Sequence, residues 1–327
     1  MATAPIAIER AGRGWGPRAL LRRLRSGDEI AHLITLLFAA GIILITSLLV
    51  YELWVNSALP RHKFGWKFFF TRVWDPIFGQ FGALPFIYGT MVTSALALLI
   101  AVPVGLGAAI FLAELAPPRL SDALAFVIDL LAAVPSVIYG LIAIFTLVPV
   151  LREYIQPFLR NTLGFLPLLQ GPAYGVGFLA GGLVLAVMIV PFIISVSREV
   201  LLVVPADQRE AALALGATHW EATWRVVVPF ARAGILGSVF LALARALGET
   251  MAVTMVIGNS PQISASLFAP GYTIAAVIAN EFTEATGDLY LQALIELGLV
   301  LFLLTFILNG LARLLILLTT RRGTAHE

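Results

Sequence analysis

Arg245 and Glu249 stand four residues apart in FLALARALGETMAVTMVIGN, a stretch otherwise fit for hydrocarbon. Counted from Gly234, Arg245 lies about 11 residues in, roughly 16 Å at about 1.5 Å per residue, near the middle of a bilayer. A charge there costs about 2.5–3.5 kcal/mol on insertion scales, so something must compensate. On an unbroken helix the spacing puts both side chains on one face, where each can neutralise the other. The alternative is a face lining a water-filled route. A guanidinium then offers a planar fork to an oxyanion, and the carboxylate accepts an oxygen of that anion that carries a proton. The residues alone leave both readings open.

Other polar groups fall in apolar stretches. Thr90, Thr93 and Ser94, near the outer mouth of a span, could offer hydroxyls to a passing anion or bond a neighbouring helix. Ser136 and Tyr139, just after Pro135, are open to the same two readings. Asp129 and Glu296 are expected to pair with other helices, because a bare carboxylate repels an anion. Glu52, near a membrane edge, can reach water.

Covalent chemistry is excluded on residue types. There is no cysteine, and His32, His62, His219 and His326 all fall at span ends or outside spans. No span pairs a nucleophile with a base or carries metal-ligand spacing. A phosphate-cradling nucleotide loop needs Gly-Lys-Ser/Thr, whereas Lys63 and Lys67, the only lysines, lie in an aromatic loop. No catalytic residue, metal site or bound cofactor is therefore expected, and energy must come from a partner.

The elements that hold these residues follow from composition. Hydrophobic residues make up 60% of the chain and charged ones 12%, against about 25% charged in an ordinary soluble domain. Stretches of about 20 apolar residues, enough to cross a hydrocarbon core, recur along it. An outer-membrane barrel would instead show alternating stretches of about 10 residues. The expectation is an all-α membrane protein with six transmembrane helices, at 30–54, 86–116, 120–151, 174–197, 234–258 and 289–318. The second and third exceed a membrane width and contain Pro103 and Pro135, so kinked or tilted helices are expected.

Fourteen of the 21 Lys and Arg residues fall on one side of these spans and six on the other, Arg245 being inside a span. By the positive-inside rule both termini are cytoplasmic. The Arg-rich head, 1–28, reads as a retained cytoplasmic flank, since the apolar run after it is too long for a secretory signal and lacks a small-residue cleavage site. A net charge of +2 gives no footprint for nucleic acid. The first span and an external loop rich in Trp and Phe (KFGWKFFFTRVWDPIF) fill 29–85. That loop suits either an interfacial aromatic belt or an external partner. The main transmembrane domain spans 86–318, and 319–327 is a cytoplasmic tail. The acidic segment 269–289 reads either as a short gate helix or as a solvated loop.

Between the fourth and fifth spans, within about 201–233, lies REAALALGATHWEATWRVVVPF. Asp207 can cap a helix there, and Ala211, Ala212, Ala214 and Ala217 give it a slim surface that another protein could approach. Gly216 permits a sharp bend, and Pro229 should break a second short helix before the span at 234.

This stretch resembles the coupling loop of binding-protein-dependent ABC importer permeases: Glu210, Ala211, Ala212, three residues, Gly216, nine residues, then Val226, Val227, Val228 and Pro229. Valines stand where Ile and Leu are usual. RALGETMAVTMVIGN, YGTMVTSALALLIAVPVGLGAAIFLAEL and AAVPSVIYGL resemble the permeases of high-affinity phosphate ABC importers, the PstC type, over roughly 86–317. The first span and long external loop suit that type better than its sister, PstA.

The resemblance implies a type I ABC importer (MetI-like) permease core in the bacterial cytoplasmic membrane. It implies a coupling loop (Glu210, Ala211, Ala212, Gly216, Pro229) that enters a groove on a separate ATPase, and a phosphate pathway containing Arg245 and Glu249. Implied partners are a PstA-type permease, PstB-type ATPase subunits that use ATP and Mg, a PstS-type external phosphate-binding protein and membrane lipid. A permease for another oxyanion is the nearest alternative. A self-powered transporter or channel fits the docking pattern less well.

Overall fold

The computed structural model describes residues 28–321, with side chains over 31–317. The Arg-rich head before Asp28 and residues 322–327 lie outside the described residues. The chain divides into two compact units, Met1–Glu52 and Leu53–Glu327. The first contributes most of helix α1 (Asp28–Val55), whose Leu, Ile and Phe side chains from Leu33 to Leu49 are exposed.

The second unit opens with two short helices, α2 (Ala58–Phe64) and α3 (Lys67–Phe70). It continues through α4 (Leu84–Leu115), α5 (Pro118–Ala132), α6 (Ser136–Leu163), α7 (Phe178–Leu202), α8 (Ala206–Ala214), α9 (His219–Leu247), α10 (Met251–Thr254), α11 (Ile274–Glu281) and α12 (Asp288–Arg321). Six of these helices, including α1, are long and apolar enough to cross a membrane. Among the described residues the only β pairing outside helices is the isolated bridge between Asp75 and Gln80.

Three prolines shape the rods in a way the sequence reading missed. In α6 and α9, π turns at Ala143–Leu147, Leu151–Ile155 and Thr223–Val227 each end two residues before a proline: Pro149, Pro157 and Pro229. Proline lacks the N–H that would bond the carbonyl four residues back. Lengthening the turn by one residue hands each carbonyl to a later N–H, as Val228 N–H does for the Thr223 carbonyl. The helix continues. Pro229 therefore does not break a short helix before a span at 234: the fifth span is one rod from His219 to Leu247. The third span is also displaced. Pro135 is not a kink inside it but the residue at its head, with extended backbone, and 118–132 is a separate helix.

The centre is α7, the most buried of the six spans. Lipid tails are as apolar as leucine, so helices associate here through close packing, which small residues allow. A Cβ on Gly182 would lie 2.5 Å from Leu96 of α4, and one on Gly105 would lie 2.8 Å from Ile193 of α7. Ala97, Ala101, Ile189, Ile193, Ala242 and Ala246 complete this α4–α7–α9 core.

At the start of α4 the aromatic loop is more than a membrane belt. Phe68 and Phe81 are fully buried with Phe86, Tyr272 and Leu294, while Trp74 lies edge-on to Phe81 and Phe86 at 4.8 and 4.9 Å. Trp74 Nε1 and the Tyr290 hydroxyl both donate to Glu281 Oε2, at 2.9 and 2.7 Å. The loop thus forms a folded cap on α11 and α12, leaving Trp66, Phe70, Ile77 and Phe78 exposed. The acidic segment 269–289 is likewise no solvated loop. It holds α11, whose first turn, from Ile274 to Val277, is buried.

Candidate functional site

Two arrangements occupy opposite ends of α9. At its start is an elbow. The chain leaves α7 through extended Pro205 and forms α8, which has no side-chain cap; Asp207 sits in the first turn rather than capping it. The helix ends in a tight C-cap: Gly216 N–H donates to the Leu213 carbonyl and Ala217 N–H to the Ala212 carbonyl, at 2.9 and 3.2 Å. That geometry needs a left-handed residue, and Gly216 has φ +90°. Thr218 and Glu221 then cap α9 reciprocally: Glu221 N–H donates to Thr218 Oγ1, and Thr218 N–H to Glu221 Oε2. Glu210, Ala211, Gly216 and Pro229 are exposed and Ala212 is half-buried. Leu215, at the tip, is 90% exposed, beside Trp220 and Trp224 in edge-on contact.

Beneath the elbow is a cluster that sequence reasoning missed. Arg209, one residue before the Glu-Ala-Ala run, forms an ion pair with Glu114 of α4 at 2.6 Å and also bonds the carbonyls of Leu201 and Val204. Next to it Arg198 of α7 bonds Ser121 and Asp122 of α5 at 3.0 Å. An acid and a base 95 residues apart leave no periodic trace; the single hint is an arginine abutting the docking run.

At the far end of α9 the two membrane charges are not arranged as expected. Arg245 is in the last helical turn and exposed, but the helix stops at Leu247, and Gly248 (φ −93°, ψ −1°) turns the chain. The face-sharing rule for residues four apart requires an unbroken helix. Glu249 instead points its Oε1 at Ala252 N–H, 3.1 Å away, capping α10. Among the described residues no ion pair joins Arg245 to Glu249, so mutual neutralisation is replaced by a free guanidinium and a capping carboxylate. Tyr139 of α6 lies within electrostatic reach of Arg245 and donates its hydroxyl to the Leu131 carbonyl at 2.7 Å. Gly140, next to it, lets α6 approach α10: a Cβ there would sit 2.6 Å from Met255 Sδ.

Three expected pathway residues are elsewhere. Thr90 and Thr93 are 1% exposed and Ser94 2%, all inside the subunit. Thr90 donates to the Phe86 carbonyl and accepts from Ile274 N–H at 3.0 Å, and Thr93 donates to the Gly89 carbonyl at 2.8 Å. The Thr90 and Thr93 hydroxyls are thus engaged within α4 and at the head of α11, whereas Ser94 Oγ is buried without a hydrogen-bond partner. Asp129 pairs with another helix, accepting from Ser195 at 2.9 Å. Glu296 is buried with Oε2 unpartnered, and Glu52 is exposed.

Comparison with known proteins shows the family. A family model described as "Binding-protein-dependent transport system inner membrane component" matches residues 101–317. The chain is 46% identical over 303 residues to the phosphate transport system permease protein PstC of Mesorhizobium japonicum, covering 91% of this chain and 93% of the relative. To PstC of Xylella fastidiosa it is 47% identical, covering 92% and 94%. A solved bacterial alginate ABC transporter, in complex with alginate pentasaccharide-bound periplasmic protein, contains a chain of the same fold. The TM-score is 0.56 at 16% identity, covering 89% of this chain and 96% of that one. Such relatives are transport permease subunits, and six apolar rods make this a multi-pass inner-membrane protein. With six apolar rods and these matches over most of its length, the chain belongs to the binding-protein-dependent transport system inner membrane components and, within them, to the PstC permeases.

Proposed function

We propose that this chain is the PstC-type permease of an ATP-driven importer of inorganic phosphate, sharing the route with a PstA-type permease and receiving phosphate from a PstS-type external binding protein. It binds no ATP or Mg itself; PstB-type ATPase subunits use both and dock on the elbow with Glu210, Ala211, Ala212 and Gly216 toward them. Both termini and the elbow face the cytoplasm, consistent with the excess of Arg on that side.

The observation that carries the reading is the continuity of α9. One rod starts at the capped elbow and bears Arg245 in its last turn, about 40 Å away at about 1.5 Å per residue. A push on the elbow is carried toward the charge along one continuously helical rod. Arg245, exposed in the last turn of α9, presents its fork to the phosphate oxygens. Glu249 keeps one oxygen on its cap and turns the other toward the protonated oxygen of the anion. ATP-driven closure of the ATPase pair rocks the rods, and the reaction on this chain is movement rather than bond breaking.

The test is uptake by the assembled importer in proteoliposomes, with labelled phosphate, sulfate and molybdate in parallel. ATP-dependent accumulation of phosphate in preference to the other two is expected. Preference for another oxyanion would redirect the substrate assignment, and uptake by the isolated chain without ATP would refute the mechanism.

A further inference from the structure

Helix α8 buries none of its residues fully, with Ala212 and Leu213 half-buried, and polar bonds add to its attachment to the bundle. Arg209 uses all three guanidinium nitrogens: Nε and Nη2 reach Glu114 at 2.6–3.2 Å, Nη2 also reaches the Leu201 carbonyl at 2.9 Å, and Nη1 reaches the Val204 carbonyl at 2.5 Å. Glu114 lies in the terminal π turn of α4, with its side chain 8% exposed. Leu201 is in the last turn of α7 and Val204 just beyond it, at the negative end of the helix dipole, where a cation is favoured. Beneath them lies a dry cluster of Ile110, Leu112, Leu201, Val204 and Val227.

We infer that Arg209 is the positioning residue that joins the docking helix to the transport core, one fork gripping the ends of α4 and α7 together so that α8 cannot move without carrying both. This rests on the coupling reading of the elbow and adds a second mechanical path beside α9. Through α9 the push reaches Arg245; through Arg209 it reaches the two helices that form the core of the subunit. The rigid fork is essential. A lysine keeps the charge but, as a single point donor on a flexible stem, cannot hold a carboxylate and two carbonyls on separate helices at once.

The experiment uses the complete importer in proteoliposomes and reads phosphate moved per ATP hydrolysed, per assembled complex. A side chain that only stabilises the fold would change the amount of complex and leave that ratio alone. Arg209→Lys and Arg209→Ala are each expected to lower the ratio about tenfold, within the range typical of coupling between sites. Should Arg209→Lys fail to assemble, the isosteric Glu114→Gln carries the same expectation. A native ratio in every variant that assembles would overturn the inference, as would lysine restoring what alanine loses. The coupling reading fails separately, if no ATPase co-purifies with the unaltered chain or if its phosphate uptake is independent of ATP.

Discussion

Replacing Gly216 tests the elbow where its energetics are simplest. A Cβ at this position would meet no atom within 4 Å, so a larger side chain does not clash within the subunit. The whole cost is conformational, because the residue must keep φ +90°. Holding an L-residue with a side chain in the left-handed region costs roughly 1–2 kcal/mol. Relaxing instead gives up the C-cap bonds from Gly216 and Ala217, each worth about 1 kcal/mol. Either way the penalty is small beside the total stability of a folded domain, about 5–15 kcal/mol, yet it shifts the bent elbow population about 5- to 30-fold. Gly216→Val should therefore reach the membrane in native amount while phosphate uptake falls about tenfold and less ATPase co-purifies. Gly216→Ala should fall less steeply. Gly216→Asn should stay closest to native, since asparagine tolerates the left-handed region better than other residues with side chains. Quantitative blotting of membranes, pull-down of the tagged chain and labelled uptake read the three quantities. Native uptake by the valine variant, or asparagine failing as badly as valine, would refute the argument.

Arg245→Gln should abolish uptake with the complex still assembled, and undiminished transport would reduce Arg245 to a packing residue. Glu249 separates cap from charge: glutamine can still accept from Ala252 N–H, so Glu249→Gln keeps the fold, whereas Glu249→Ala loses a cap worth about 0.5–2 kcal/mol. If transport survives in the glutamine variant, the carboxylate is needed only for its cap. Thr90→Val should lower thermal stability by about 1–3 kcal/mol through the orphaned Ile274 N–H, with the KM for phosphate unchanged in whatever assembles; a raised KM would return Thr90 to the pathway. Gly182→Val should force α7 away from Leu96 and cost about 1–3 kcal/mol of overpacking, read as a lower melting midpoint in detergent.

Residues 30–54 show why the spans were legible without coordinates. Transfer of an apolar side chain into hydrocarbon is close to additive along a helix, so hydropathy summed over about 20 residues reports a crossing wherever it occurs. The elbow was legible for a similar reason. Gly216 marks a left-handed bend through its missing Cβ, and the glycine–proline spacing is a local pattern. The prolines show where local reading stops. Pro135 heads a helix, Pro103 sits inside one, and Pro229 is absorbed by a π turn. All three lack the same N–H, and the surrounding helices decide who serves the freed carbonyl.

Side-chain partners were decided by tertiary structure alone. Arg245 and Glu249 carry a spacing that pairs them on any continuous helix, but a turn at Gly248 parts them and gives the carboxylate to Ala252. Thr90 looked available to an anion until α11 folded over it. Arg209 meets Glu114 across 95 residues, a distance over which sequence periodicity carries no signal. What belongs to a residue, its transfer energy, its missing Cβ or its missing N–H, can be read from the chain. Which neighbour satisfies a buried charge or hydroxyl is settled only when distant helices pack, because that choice depends on where their backbones can approach.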